Sequence, residues 1–413
     1  MRPLPRQSTL GMYGAALALI LASLAGFVFA QHEHHGPAPA ANTPQPQPDH
    51  DAHAMGETSL RRIEPGRTYS PPPPHMGHQA GRVHAPAVAP LGYEMDAGVK
   101  VFTLIAQPVR WHINDGKQSD DPRVPQKNKV EYAMQHEEVR EVIGWGYNGS
   151  VPGPTIEATQ GDTIRVILKN ELPEPTSIHW HGIELPNEMD GAAEVTEPPT
   201  PPGGTRTYQF KLHQNGTFLY HSHFNVMKQE ALGLGGILVI HPPEEKQKPD
   251  VDVSILLQQW QLLPGNPNPD VVGMDWNWFT FNGRAAPDIP PLVVKQGQRV
   301  RIRLGNLSMD SHPIHLHGYS FKVVGTEGGP IPESAQWPAA TVDVPPGSTR
   351  DFEFVAWNAG HWMIHCHKVH HMMNSHAQIP VGMMPHGGMV MLLHVEPADE
   401  KAPWRHPGEP EGK

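Results

Sequence analysis

Four His-x-His pairs stand out in this chain: His179/His181, His221/His223, His315/His317 and His365/His367. In an extended strand, residues i and i+2 point to the same face. Each pair therefore presents two imidazoles side by side. Imidazole is a good ligand for copper, zinc, iron and nickel. One such pair would be weak evidence, because isolated histidines usually sit satisfied in cores or loops. Four pairs at matching places point to a metal centre with several ions. The residue between the last pair is Cys366, the only cysteine of the chain, so no intrachain disulfide can form. If His365 and His367 face one way, Cys366 faces the other. His312 lies an odd number of positions before His315 and His317, so it too faces away from them. His371 follows closely enough to turn back. Two histidines and a thiolate are the ligand set of an electron-transfer copper site. Cys366 would then bridge that site covalently to His365 and His367.

The elements that must position these residues come as a repeat. Gly161-Asp162-Thr163-Ile164-Arg165-Val166 matches Gly297-Gln298-Arg299-Val300-Arg301-Ile302, and Ile178-His179-Trp180-His181-Gly182 matches Ile314-His315-Leu316-His317-Gly318. Pro202-Gly203-Gly204-Thr205-Arg206 matches Pro346-Gly347-Ser348-Thr349-Arg350, and His221-Ser222-His223 matches His365-Cys366-His367. A repeat of this length is a duplicated domain, not a solenoid unit. Short β-rich runs between Pro and Gly turns predict an all-β fold of two β-sandwich domains, 96–245 and 246–398, followed by a tail, 399–413.

At these motifs the chain resembles the multicopper oxidase family. The motifs are His-Trp-His-Gly at 179, His-Ser-His at 221, His-Pro-Ile-His-Leu-His-Gly at 312, and His-Cys-His with a following histidine at 365 to 371. The resemblance covers roughly residues 99 to 396. It implies two cupredoxin-like Greek-key domains and four copper ions: one type 1, one type 2 and two type 3. Carried over by motif, His179 and His315 match the type 2 ligands. His181, His221 and His367 match one type 3 copper, and His223, His317 and His365 the other. His312, Cys366 and His371 match type 1. Asp190 matches an acidic residue that relays protons in some members; its plainer reading is a turn residue before Gly191. The implied reaction couples one-electron oxidations to four-electron reduction of O2 to water. The sequence departs from the pattern at His376, where the family usually has an axial Met or Leu. Either His376 is axial, or the loop is shifted and Met373 or Met383 takes the place. Met372 stands where some relatives carry an acid. The middle domain of larger relatives has no counterpart, so the resemblance is to the two-domain, laccase-like or copper-tolerance class. It implies a homotrimer with trinuclear sites between chains.

The net charge of −11 argues against nucleic acid or an anionic membrane as the main partner. Arg2, Arg6 and an apolar run from Met12 to Phe29 predict a signal peptide, 1–30, and a periplasmic or secreted location, with no membrane attachment after cleavage. The uncleaved alternative is a membrane anchor. Residues 31–95, rich in Pro, Ala, His and Gly, read as a disordered linker that either is simply solvated or captures copper weakly. Met372, Met373, Met383, Met384, Met389 and Met391 crowd one stretch. They either guide Cu(I), which thioethers prefer, or pack beside the copper site. The reductant is accordingly expected to be Cu(I) or a phenol. The competing functions are a copper-sequestering envelope protein and a copper nitrite reductase-like enzyme. The first does not explain the ordered Cys366 pattern, and the second does not need eight paired histidines.

Overall fold

The computed structural model describes residues 83–114, 140–374 and 387–399, together with 406 and 408. All of them belong to one packed unit. The expected signal peptide, His376, Met383 and Met384 lie outside the described residues.

Period-two patterning builds the strands. Thr163–Asn170 buries Ile164, Val166, Leu168 and Asn170 and turns the alternate residues outward. In the first sandwich, one sheet runs β2 (Glu94–Asp96), β3 (Val99–Asn114), β6 (Thr163–Asn170), β8 (Thr205–Lys211), with β4 (Arg140–Tyr147) also on β3. The other runs β5 (Ile156–Thr159), β10 (Gly235–His241), β9 (Gly216–His221), β7 (His179–His181). In the second sandwich, one sheet runs β1 (Val83–His84), β11 (Val251–Trp260), β14 (Arg299–Asn306), β20 (Thr349–Val355), β16 (Phe321–Thr326), β17 (Gly329–Pro330). β12 (Trp278–Phe281) and β18 (Trp337–Ala339) join it from the side. The facing sheet runs β13 (Leu292–Lys295), β22 (Val390–Glu396), β21 (Gly360–Cys366), β15 (His312–Leu316), β19 (Thr341–Val344). Short helices α1 (Val226–Ala231) and α2 (Val369–Met373) follow β9 and β21.

The two sandwiches repeat one topology. Parallel pairs recur at equivalent places, β3 with β6 and β11 with β14, β5 with β10 and β13 with β22. Each sandwich fills with its own core. Trp145, Trp180 and Tyr208 lie in the first, and Phe281, Phe321 and Phe352 in the second. The sandwiches also meet. Leu219, Ile237 and Val239 cluster with Leu256 and Leu307, and the Thr217 hydroxyl donates to Asp351 Oδ2 at 2.9 Å.

Described structure falls inside the expected linker, 31–95. Val83–His84 adds a parallel strand to β11, and the Val83 amide donates to the Glu157 carboxylate at 3.2 Å. A two-residue strand carries no periodic signal, and the Pro/Ala composition around it conceals it.

Candidate metal centre

The paired histidines sit on neighbouring strands in register. His179 lies opposite His221 on β7 and β9, and His315 lies opposite His365 on β15 and β21. Three groups of ligand atoms result, each within 4.8 Å: His179, His181, His221; His315, His317, His365; and His312, Cys366, His371. Each group draws on one sandwich only. His223 and His367 complete the two histidine sets, their rings 5.3 Å from His179 and 5.8 Å from His315.

The four registered imidazoles are oriented alike. Backbone carbonyls accept from their Nδ1 atoms: Asp190 for His179 at 2.9 Å, Ser222 for His221 at 3.0 Å, Ala340 for His315 at 2.6 Å and Cys366 for His365 at 2.9 Å. A carbonyl on Nδ1 fixes the tautomer and leaves Nε2 with a lone pair for a metal. The rings converge, with His181 Nδ1 at 3.3 Å from His221 Nε2 and His317 Nε2 at 2.9 Å from His365 Nε2. Burial lowers the pKa of His221 to about 3 and also lowers those of His181 and His365, with neighbouring imidazoles adding to the effect. Neutral imidazoles are the form that binds metal. The Asp190 carboxylate lies 3.4 Å from His179 Nδ1. Glu230, which burial pushes up to about 7, places Oε2 3.4 Å from His221 Nδ1.

Cys366 ends β21 on the face opposite His365, wholly buried. Its Sγ lies 3.8 Å from His312 Nδ1 and 3.5 Å from His371 Nδ1, and the two nitrogens are 3.0 Å apart. Ser308 Oγ holds His312 by Nε2 at 2.7 Å, so Nδ1 is left to face the thiol. Phe279 stacks on the His371 ring at 3.7 Å. α2 ends on Asn374 in the left-handed region, and its amide bonds both the N–H and the C=O of Phe279, each at 2.8 Å. Burial lowers His312 to about 2 and His371 to about 3, and raises the Cys366 thiol to about 12. Two neutral imidazoles and one sulfur converging in a dry pocket suit copper of the electron-transfer kind.

Sequence reasoning missed three features. Ser308 and Phe279 carry no motif. Met389 is buried on the Cys366 face: its carbonyl accepts from the Cys366 amide at 3.1 Å, and its own amide donates to His371 O at 2.9 Å. It lies far beyond the spacing that led to His376. Met372 and Met391 are likewise buried. The third feature is a copy of the Cys366 pocket in the first sandwich. Thr176 stands at the place of His312 in the repeat, Ser222 at that of Cys366, and Gln229 on α1 answers His371 on α2. All three are fully buried, with Oγ atoms 3.3 Å apart and Gln229 Oε1 accepting from both, at 2.8 and 2.5 Å. Hydroxyls and an amide satisfy one another where the second sandwich has two imidazoles and a thiol.

Two family models described as multicopper oxidase match residues 127–245 and 263–378, together more than half of the chain. The chain belongs to the multicopper oxidase family. It is 35% identical over 222 residues to multicopper oxidase MmcO of Mycobacterium tuberculosis, covering 45% of this chain and 43% of that one. It is 45% identical over 114 residues to copper resistance protein A of Pseudomonas syringae pv. tomato, covering 27% and 18%. The matches thus span less than half the length of these relatives. Among solved structures, blue copper oxidase from Nitrosomonas europaea superposes with a TM-score of 0.58 at 27% identity, over 71% of this chain and 85% of that one. The multicopper oxidase fold of two cupredoxin-like sandwiches is the one seen here.

Proposed function

We propose that this multicopper oxidase takes single electrons from a small reductant at His312, Cys366 and His371 and delivers them to a trinuclear centre, where O2 is reduced to water. The observation that carries this reading is the double role of Cys366. Its sulfur completes one ligand set, while its carbonyl accepts from His365 Nδ1 in the other. Copper at these ligands would supply the one-electron chemistry and the reduction of O2. The chain supplies the rest. Buried neutral imidazoles present lone pairs, carbonyls hold their tautomers, and the β21 backbone joins the two sites through a few bonds. Asp190, half-buried beside His179, is placed to hold a proton on its way to the centre.

The first-sandwich set of His179, His181, His221 and His223 would be one half of the trinuclear centre, and the second-sandwich set the other. Within one chain, His181 meets the Gly347 backbone and the charge of Glu327 of the second sandwich. The halves are therefore proposed to meet between chains, head to tail, in a closed homotrimer. The expected leader would place this assembly in the periplasm or outside the cell.

The reductant is proposed to be Cu(I) or a phenol. O2 uptake by the copper-loaded protein, with Cu(I), a phenol and nitrite tested side by side, decides among the readings. Uptake of O2 with either reductant is expected, and the faster one names the class. Four bound coppers per chain with nitrite reduced and O2 untouched would overturn the proposal, as would copper binding without turnover.

A further inference from the structure

Another histidine pair lies outside all three ligand groups. His361 on β21 and His394 on β22 are registered directly across the ladder. His394 Nδ1 and His361 Nε2 are 2.8 Å apart, and the ring centroids are 4.4 Å apart. His361 is exposed and His394 half-buried, so the pair opens to solvent. Both strands are well anchored. The flanking Leu393 and Val395 are buried in the core, and the Trp362 indole donates to Asn358 O at 2.8 Å. By strand alternation His361 shares a face with His365, four residues and about 13 Å along the strand. It is therefore separate from the trinuclear half-set.

We propose that His361 and His394 form a surface site for a divalent transition-metal ion of tetragonal preference, Cu(II) or Ni(II). Imidazole nitrogens bind such ions at about 2.0–2.1 Å, taking the zinc value as a guide. Two nitrogens 2.8 Å apart then subtend roughly a right angle at the ion, by that same distance. Adjacent positions of a square-planar or tetragonal ion require this angle, whereas a tetrahedral ion would need the nitrogens further apart. The ladder holds both rings in place before any ion arrives, so little ordering entropy opposes binding. An exchangeable ion here would be additional to the four catalytic coppers and would put a cation reservoir on the surface of a copper-handling enzyme.

The test uses the copper-loaded full chain and Ni(II), which does not turn over. Bound Ni(II) per chain is measured by equilibrium dialysis in wild type, His361→Gln and His394→Gln. Histidines elsewhere are common to all three proteins and cancel in the difference. Each variant should bind one Ni(II) fewer in the range that saturates wild type. Loss of one ring of the chelate should weaken the site on the order of 100-fold. The thiolate–copper absorbance serves as the check of folding and should be unchanged, because neither ring touches Cys366. Added Cu(II) should give an electron paramagnetic resonance signal with two equatorial nitrogens in wild type, absent from both variants. Equal Ni(II) binding by three folded proteins would overturn the proposal and leave the oxidase reading untouched.

Discussion

His312 allows a quantitative test of how far the electron-transfer pocket exists before copper arrives. Its imidazole is wholly buried, and burial lowers its pKa from 6.5 to about 2. A base whose folded pKa is depressed binds protons more readily in the unfolded chain. Its contribution is therefore complete above pH 6.5 and is lost as pH falls toward about 2. The loss is about 1.4 kcal/mol per pH unit, or about 2 kcal/mol by pH 5. Against a total stability of about 5–15 kcal/mol that is a large fraction. The perturbation is His312→Asn in copper-stripped protein, since Asn does not titrate. Urea unfolding at pH 7, 6 and 5 gives the stability of each chain by linear extrapolation. Wild type should lose about 2 kcal/mol more than the variant over this range. Glu230 works in the opposite direction. Its folded pKa of about 7 lies above 4.5, so it favours the folded state at low pH and that gain fades as pH rises. It is present in both chains and cancels in the difference. Parallel stability curves from pH 7 to 5 would refute the reasoning, because His312 would then titrate as freely in the fold as out of it.

Cys366→Ser should abolish the blue absorbance and lower oxidase turnover at least 100-fold, a loss of the order that removal of a principal catalytic group brings. The histidine-held coppers should stay bound, since only Cys366 supplies sulfur to the buried triad; retained colour would show the assignment wrong. Met389→Leu should raise the reduction potential of that site by about 60 mV, a tenfold change for a one-electron couple, whereas His376→Met should leave it unmoved. The reverse outcome in redox titration would return the axial position to His376. Replacing Thr176 by His, Ser222 by Cys and Gln229 by His should give the first sandwich a thiolate–copper band of its own, and metal analysis should find one more copper per chain. His179→Ala and His365→Ala should each be inactive, yet co-expressed in equal amounts they should recover about a quarter of wild-type turnover, the share of head-to-tail contacts with both halves intact. Mixed trimers with no activity, or an active native monomer in light scattering, would sink the interchain reading.

The residues that were legible in the sequence are those governed by strand alternation. A period of two places His365 on one face and Cys366 on the other, whatever the rest of the fold does. The duplication then adds the partner strands, so that His179 meets His221 as His315 meets His365. Alternation cannot count across an irregular connection. Spacing along α2 led to His376, which lies outside the described residues; among the described residues Met389 lies beside Cys366, its place set by backbone bonds from Cys366 and to His371. Nor does a motif search report what replaces a motif. Thr176 and Ser222 look like ordinary core polar residues until the repeat superposes them on His312 and Cys366 and the structure shows Gln229 hydrogen-bonded to both. That replacement bears on the mechanism. A buried hydroxyl cannot be left unpaired without cost, so a pocket that lacks the imidazoles and thiol requires the residues at those positions to satisfy one another. Gln229 does this by accepting from both hydroxyls while its own amide donates to Glu174 and Pro175. Under the proposed function, the first sandwich is thereby closed to electron entry and contributes only its paired histidines, and the path into the centre would run through Cys366.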